Sequence, residues 1–228
     1  MKKMKKNTHK TAVITGVSSG IGLAMVQCLL KENYFVIGTT KSGYLKDIQH
    51  QNLKIIALNL DSDVKRKGFA REITKEVPYI DLLINNAGIA PDVFQEKPDL
   101  ASFMQTISTN LTATVFFTEQ LIENVNKNGK IIFISSDMGL MKNARKTGTA
   151  YRISKAGINM YAVILAHRLL EKNIAVGAVH PGWVRTKLGG DSATSSPEQS
   201  ATAIISQLEN INGAGKFYNA ATSQVEIY

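Results

Sequence analysis

Short β-branched runs alternating with longer amphipathic stretches constrain this chain more than any other feature. Candidate strands cover residues 11–15, 35–39, 54–59, 81–85, 130–135 and 175–180, with a weaker one at 216–218. Helical patterns fill the intervals at 21–31, 63–77, 102–126 and 149–171. A fifth helix begins at Ser196-Pro197-Glu198, where a serine cap precedes proline at the first helical position. Leu82-Leu83-Ile84 and Ile131-Ile132-Phe133-Ile134 are apolar on both parities, as strands covered on both faces are. This alternation predicts an α/β fold: a doubly wound parallel sheet of about seven strands with helices on both faces. No repeat or linker divides the chain, so residues 11–228 are expected to form one domain behind a disordered tail at 1–10. The small, polar stretch 189–196 reads as a mobile loop or lid.

Composition narrows the function classes. The chain has 228 residues and one cysteine, Cys28, so no disulfide forms within it and a reducing, cytoplasmic setting is expected. Its net charge of +9 suggests nucleic acid, but Lys2, Lys3, Lys5, Lys6 and Lys10 all precede the first strand. Such a run is usually a solvated terminus, so neither nucleic acid nor a membrane is the expected partner. The Met-Lys-Lys start lacks the apolar segment of a secretory leader, and no apolar run is long enough to span a bilayer. The four histidines show no metal-ligand spacing, so no metal is expected, and His180 reads as a packed or hydrogen-bonded side chain.

Gly16, Gly20 and Gly22 lie between the first strand and the first helix. In that context glycines permit a tight turn and close approach of a pyrophosphate to free N–H groups at a helix start. About 20 residues further on, near the end of the second strand, a dinucleotide-binding chain selects NAD with an acid. Here the residues are Thr39-Thr40-Lys41, and Lys41 suits the 2′-phosphate of NADP. NADP(H) is therefore the expected cofactor, with NAD(H) open.

Tyr151 and Lys155 stand four residues apart in the fourth helical pattern. On a helix that spacing places them on one face. An ammonium beside a phenol lowers the phenol's pKa and makes a proton donor and acceptor usable near neutral pH. Lysine-rich chains contain such pairs by chance, so the pair needs its surroundings.

Those surroundings resemble the short-chain dehydrogenase/reductase family in its single-domain, Rossmann-type branch. The segment Thr15-Gly16-Val17-Ser18-Ser19-Gly20-Ile21-Gly22 resembles the family's glycine turn. Asp61-Ser62 resembles its adenine contact, and Asn85-Asn86-Ala87-Gly88 its turn after the fourth strand. Asn110, Ser136 and the run Tyr151-Arg152-Ile153-Ser154-Lys155 match its active-site positions. Pro181-Gly182-Trp183-Val184-Arg185-Thr186 matches the segment that meets the nicotinamide amide. The resemblance implies a cofactor site of Gly16, Ser18, Ser19, Gly20, Ile21, Gly22, Thr40, Lys41, Asp61, Ser62, Asn86, Ala87, Gly88, Tyr151, Lys155, Pro181, Gly182, Val184 and Thr186. It implies hydride transfer between the nicotinamide and a carbonyl or alcohol. Tyr151 would move the proton, Ser136 would polarise the substrate oxygen, and Lys155 would hold the ribose. Asn110 would hold a water that relays protons towards Lys155.

The segments 151–160 and 180–186 further resemble sniffer-type carbonyl reductases and the C-factor group. Because that group includes proteins described by a signalling role, a dinucleotide-binding sensor is the alternative function. The chain departs from the family in spacing Ser136 and Tyr151 by 15 positions; the insert at 142–147 is expected to loop out. Ser136 is preferred over Ser135 because Ser136-Asp137-Met138-Gly139 fits the family pattern. In relatives the long helix and the Tyr151 helix pair in a homodimer, yet Val115-Phe116-Phe117 would equally suit packing on the sheet.

Overall fold

The computed structural model describes residues 9–46, 48–58, 63–212 and 215–226; for 63–67 and 69 only the backbone is described. The expected contacts Asp61 and Ser62, and most of the basic tail, lie outside the described residues. Eight strands form one sheet in the order β3-β2-β1-β4-β5-β6-β7-β8. They are β1 (Thr11–Ile14), β2 (Phe35–Thr40), β3 (Leu53–Ala57), β4 (Ile80–Asn85), β5 (Val125–Ile134), β6 (Ala175–His180), β7 (Phe217–Asn219) and β8 (Gln224–Glu226). The first seven run parallel, and β8 pairs antiparallel with β7. This is the doubly wound arrangement, in which ligands lie beyond the carboxyl ends of the strands.

Side-chain alternation divides the core into two layers. Val13, Leu83, Ile131 and Phe133 point to one face and pack with residues of α2 (Asp63–Glu76), α4 (Thr114–Leu121) and α5 (Thr149–Leu169). Ala12, Ile14, Leu82, Ile84 and Ile132 point to the other and meet α1 (Gly20–Lys31) and α6 (Pro197–Gln207). Both parities of the central strands are buried, and each large aliphatic side chain so placed contributes about 1.5–3 kcal/mol relative to exposure. Helix α6 starts at Ser196 with a complete capping box to Gln199 and proline in its first turn. Among the described residues no helix is long and apolar enough to cross a membrane.

Two expectations need correction. The third helical pattern is a composite: α3 (Leu100–Thr106), a π-helical stretch (Ile107–Ala113) and α4, followed by a short 3-10 turn at Ile122–Asn124. Helix therefore stops before 126. Val125 pairs with Ile80, and a register shift between Ile80 and Leu82 lets β5 carry the Asn126–Gly129 irregularity within the strand. Asn128 there has φ +68°, a left-handed conformation that hides a strand start from pattern reading. The expected doubly wound sheet of about seven strands is met by the seven parallel strands, to which the short antiparallel β8 is added at the edge; its Gln-Val-Glu sequence has no apolar alternation to read.

Candidate active site

The glycine turn is shaped by the end of β4. Gly16 has φ +71°, and a Cβ on it would lie 2.9 Å from Ala87 Cα. A Cβ on Gly22 would lie 2.4 Å from Gly16 O and 2.6 Å from Asn86 Nδ2. Asn86 Nδ2 donates to Thr15 O (2.9 Å) and Gly16 O (3.1 Å), while the N–H groups of Asn86 and Ala87 both donate to Thr15 Oγ1 at 3.0 Å. These bonds stitch β1 to β4 where the chain leaves the sheet. Ser19 begins α1 in extended conformation with no side-chain cap, and Ser18 and Ser19 are exposed. The turn thus offers uncapped N–H groups, hydroxyls and glycine-lined space, which fits a dinucleotide pyrophosphate. Lys41 is exposed immediately after β2, and Thr40 Oγ1 donates to Tyr44 O at 3.2 Å.

Beside this turn opens a cleft of about 580 Å³. Its lining brings together Ile21, Asn86, Gly88, Ser136, Tyr151, Lys155, Pro181, Gly182, Val184 and Thr186 of the expected site. Thr186 lies against the turn, its Cγ2 3.2 Å from where a Cβ on Gly20 would stand. Gly16, Ser18, Ser19, Gly20, Gly22, Thr40, Lys41, Ala87 and Asn110 are not lining residues of this cleft. The geometry separates the two serines. Ser135 Oγ donates to the buried Asn159 Oδ1 at 2.6 Å. Ser136 Oγ accepts from Met138 N (3.1 Å) and donates to Asp137 Oδ1 (3.2 Å) at the cleft wall.

Tyr151 and Lys155 face one another, with Lys155 Nζ 5.6 Å from the phenol ring centroid. The expected depression of the phenol's pKa does not occur here. Burial pushes Tyr151 up to about 12; the Ser136 hydroxyl offsets part of this, and the Asp137 carboxylate adds to it. Lys155 is buried too and is pushed down to about 8. One of the three N–H donors of its ammonium is bonded to Ile134 O of β5 at 2.8 Å. Desolvation, which disfavours both charged forms, is the largest cause at each residue.

Asn110 sits in the π-helical stretch, buried at 2% exposure. Its Oδ1 accepts from Ile89 N and its Nδ2 donates to Ile89 O, both at 2.8 Å. Nδ2 also reaches Ser154 Oγ at 3.2 Å. The widened turn thus aims Asn110 at the backbone after the Asn85–Gly88 turn and ties it to the Tyr151 helix.

His180 lines the cleft, and its Nδ1 accepts from Asp137 N at 3.3 Å, which leaves the ring proton on Nε2. Burial lowers its pKa against the opposing pull of Asp137 and Glu226, so the ring is neutral at pH 7. Residues 183–195 fold back on themselves. Trp183 Nε1 donates to Gly189 O (2.8 Å), Arg185 N to Ser195 O (2.9 Å) and Ser195 N to Trp183 O (3.1 Å).

Two structural residues were missed by motif reading. Asp92, 2% exposed, accepts at Oδ2 from Ala150 N (2.7 Å) and Tyr151 N (3.3 Å). It caps the Tyr151 helix from 58 residues away. The signal was indirect: the residue that caps α5 is Gly148, φ +72°, which has no side chain to satisfy the first N–H groups. Arg152 is the second. Its guanidinium donates to Thr147 O (2.8 Å) and Asn143 O (2.8 Å), which binds the 142–147 insert to α5 instead of letting it loop out.

Residues 10–196 match the short chain dehydrogenase family, and the chain belongs to it. With that family it is an oxidoreductase that uses a nicotinamide dinucleotide on small-molecule substrates. The 3-oxoacyl-(acyl-carrier-protein) reductase of Vibrio cholerae is 29% identical over 205 residues, covering 87% of this chain and 82% of the relative. The NADPH-bound carbonyl reductase from chicken fatty liver superposes with a TM-score of 0.84 at 25% identity, covering 96% of this chain and 94% of that one. A Caenorhabditis elegans protein assigned as the carbonyl reductase Sniffer gives 0.82 at 27% identity, covering 96% and 99%. The sniffer-type likeness expected from the motifs is thus met among solved structures.

Proposed function

We propose that residues 11–228 act as one NADP(H)-dependent carbonyl reductase. The observation that carries this reading is the convergence of Ser136, Tyr151 and Lys155 on one cleft beside an uncapped glycine turn. The nicotinamide, when bound, supplies the two-electron reducing chemistry. Gly16, Ser18, Ser19, Gly20, Ile21 and Gly22 hold the pyrophosphate end, and Lys41 favours a 2′-phosphate. Asn86, Ala87, Gly88, Pro181, Gly182, Val184 and Thr186 border the nicotinamide end, and Lys155 holds the ribose. In the substrate region Ser136 donates a hydrogen bond to the carbonyl oxygen and Tyr151 delivers a proton to it. Asn110 keeps the Ile89 backbone and the Tyr151 helix in register. A phenol held at about 12 is protonated at pH 7, the form a reductase needs. Support for NADPH comes from Lys41 and from the chicken reductase, whose structure holds that cofactor. An intact proton donor favours an enzyme over a dinucleotide sensor, since binding alone needs none.

The test is NADPH oxidation with aldehydes, ketones and quinones. Tyr151→Phe is expected to lower turnover by about a hundred- to ten-thousandfold while NADPH affinity, read by fluorescence titration, is retained. Near-normal turnover in that variant rejects the assignment. In the same assay Lys41→Ala raises the Michaelis constant for NADPH and leaves that for NADH unchanged.

A further inference from the structure

Among the described lining residues the charged side chains are Asp137 and Lys155. They stand in different settings. The Lys155 ammonium is buried and bonded to Ile134 O. Asp137 keeps 44% of its side chain exposed. No ammonium or guanidinium among the described residues pairs with it. The basic group near it is His180, 3.8 Å away, and that ring already accepts the Asp137 N–H and is neutral. The carboxylate is 3.2 Å from Ser136 Oγ, the atom placed against the substrate oxygen. Val93, Phe94, Met138, Trp183 and Leu188 supply apolar wall around it. A carboxylate that no ammonium or guanidinium among the described residues pairs thus stands within about two hydrogen-bond lengths of the reacting carbonyl, at the half-exposed wall of the cleft and apart from the buried Lys155 ammonium.

We propose that Asp137 selects substrates by charge: the cleft takes neutral and ammonium-bearing carbonyl compounds and rejects those carrying a carboxylate. The proposal rests on the carbonyl-reductase reading of the same site. Two effects act together. The Asp137 field repels an anionic substituent and attracts a cationic one. The carboxylate also competes for the single Ser136 proton, and a substrate ammonium that engages Asp137 releases that proton for the carbonyl oxygen.

The test uses three aldehydes of one shape: 4-formylbenzoate, 4-formylbenzamide and 4-(dimethylaminomethyl)benzaldehyde. With the full chain and saturating NADPH, kcat/KM for the benzoate is expected at least about tenfold below that for the benzamide, with the amine equal to or above the benzamide. Asp137→Asn brings the benzoate to within about threefold of the benzamide, and Asp137→Ser does the same should the first variant fold poorly. On the unaltered chain, raising salt to about 0.5 M narrows the gap. Benzoate turned over as well as benzamide, or a gap that persists in both variants and in salt, overturns the role of Asp137 while leaving the reductase reading standing. NADPH binding without turnover of any of the three, or of a quinone, overturns both.

Discussion

Tyr151 and Lys155 shift in opposite directions, to about 12 and about 8, because burial penalises whichever form carries charge. The consequence is a directional bias. At pH 7 the phenol holds its proton and is ready to give it to a carbonyl, whereas alcohol oxidation needs the rare phenolate. For reduction, kcat/KM for NADPH reports the free enzyme. It should stay flat below about pH 8 and fall above it as Lys155 loses its charge. Alcohol oxidation should instead rise with pH. Initial rates between about pH 6 and 10 check both, and a reductive profile flat to the upper end contradicts the first. The stability sign follows from the same shift. Lys155 is lowered from 10.5 to about 8, so between those values the unfolded chain holds the extra proton and stability rises with pH. The i, i+4 spacing was legible in sequence; the direction of the Tyr151 shift was not, because desolvation comes from β5 and the cleft walls rather than from the helix itself.

Helix α5 carries both residues yet lacks a cap of its own, and Asp92 supplies it from the loop after β4. The loop that borders the nicotinamide end thereby sets where the proton donor begins. Asp92→Ala should destabilise the fold by about 1–2 kcal/mol, the usual cost of a lost cap. It should also lower kcat more than it weakens NADPH binding. Asp92→Asn keeps an acceptor oxygen and should recover most of both. Urea melts and steady-state kinetics measure the two effects, and a kcat unchanged in Asp92→Ala would limit Asp92 to stability. The π-helical stretch at Ile107–Ala113 belongs to the same scale. The run Ile-Ser-Thr-Asn-Leu-Thr-Ala reads as ordinary helix, and the bonds of its Asn110 to both backbone groups of Ile89 are made across 21 residues of sequence.

Over the whole molecule, the strand order brings the carboxyl ends of β1, β4, β5 and β6 to one side of the sheet. There Asn86, Ser136 and Pro181, spread across much of the chain, line one cleft, and Gly16 lies beside it against Ala87. The apolar run at 115–117 splits between two roles. Phe117 is fully buried against the sheet, while Phe116 is 54% exposed. Glu119, three residues on, joins α4 to α5 through Tyr161 (2.7 Å) and Arg168 (2.5 and 3.0 Å). Phe116 on α4 and the exposed Met160 and Ile164 on α5 flank this link. We expect a homodimer across this face. Sedimentation should show Phe116→Glu combined with Ile164→Lys as a monomer, and an unaltered chain that sediments as a monomer removes the expectation.

Periodicity and turn chemistry run along the chain, and for that reason the parallel α/β layering, the glycine turn and the meeting of Ser136, Tyr151 and Lys155 at one cleft could be read from the sequence. What tertiary structure alone decided was which groups lose water and which partners meet across long sequence separations. The raised phenol, the distant Asp92 cap, the tethered insert under Arg152 and the Asp137 carboxylate, which no ammonium or guanidinium among the described residues pairs, all belong to that second class. Burial and hydrogen bonding depend on the neighbours that packing supplies, and those neighbours are not adjacent in the sequence.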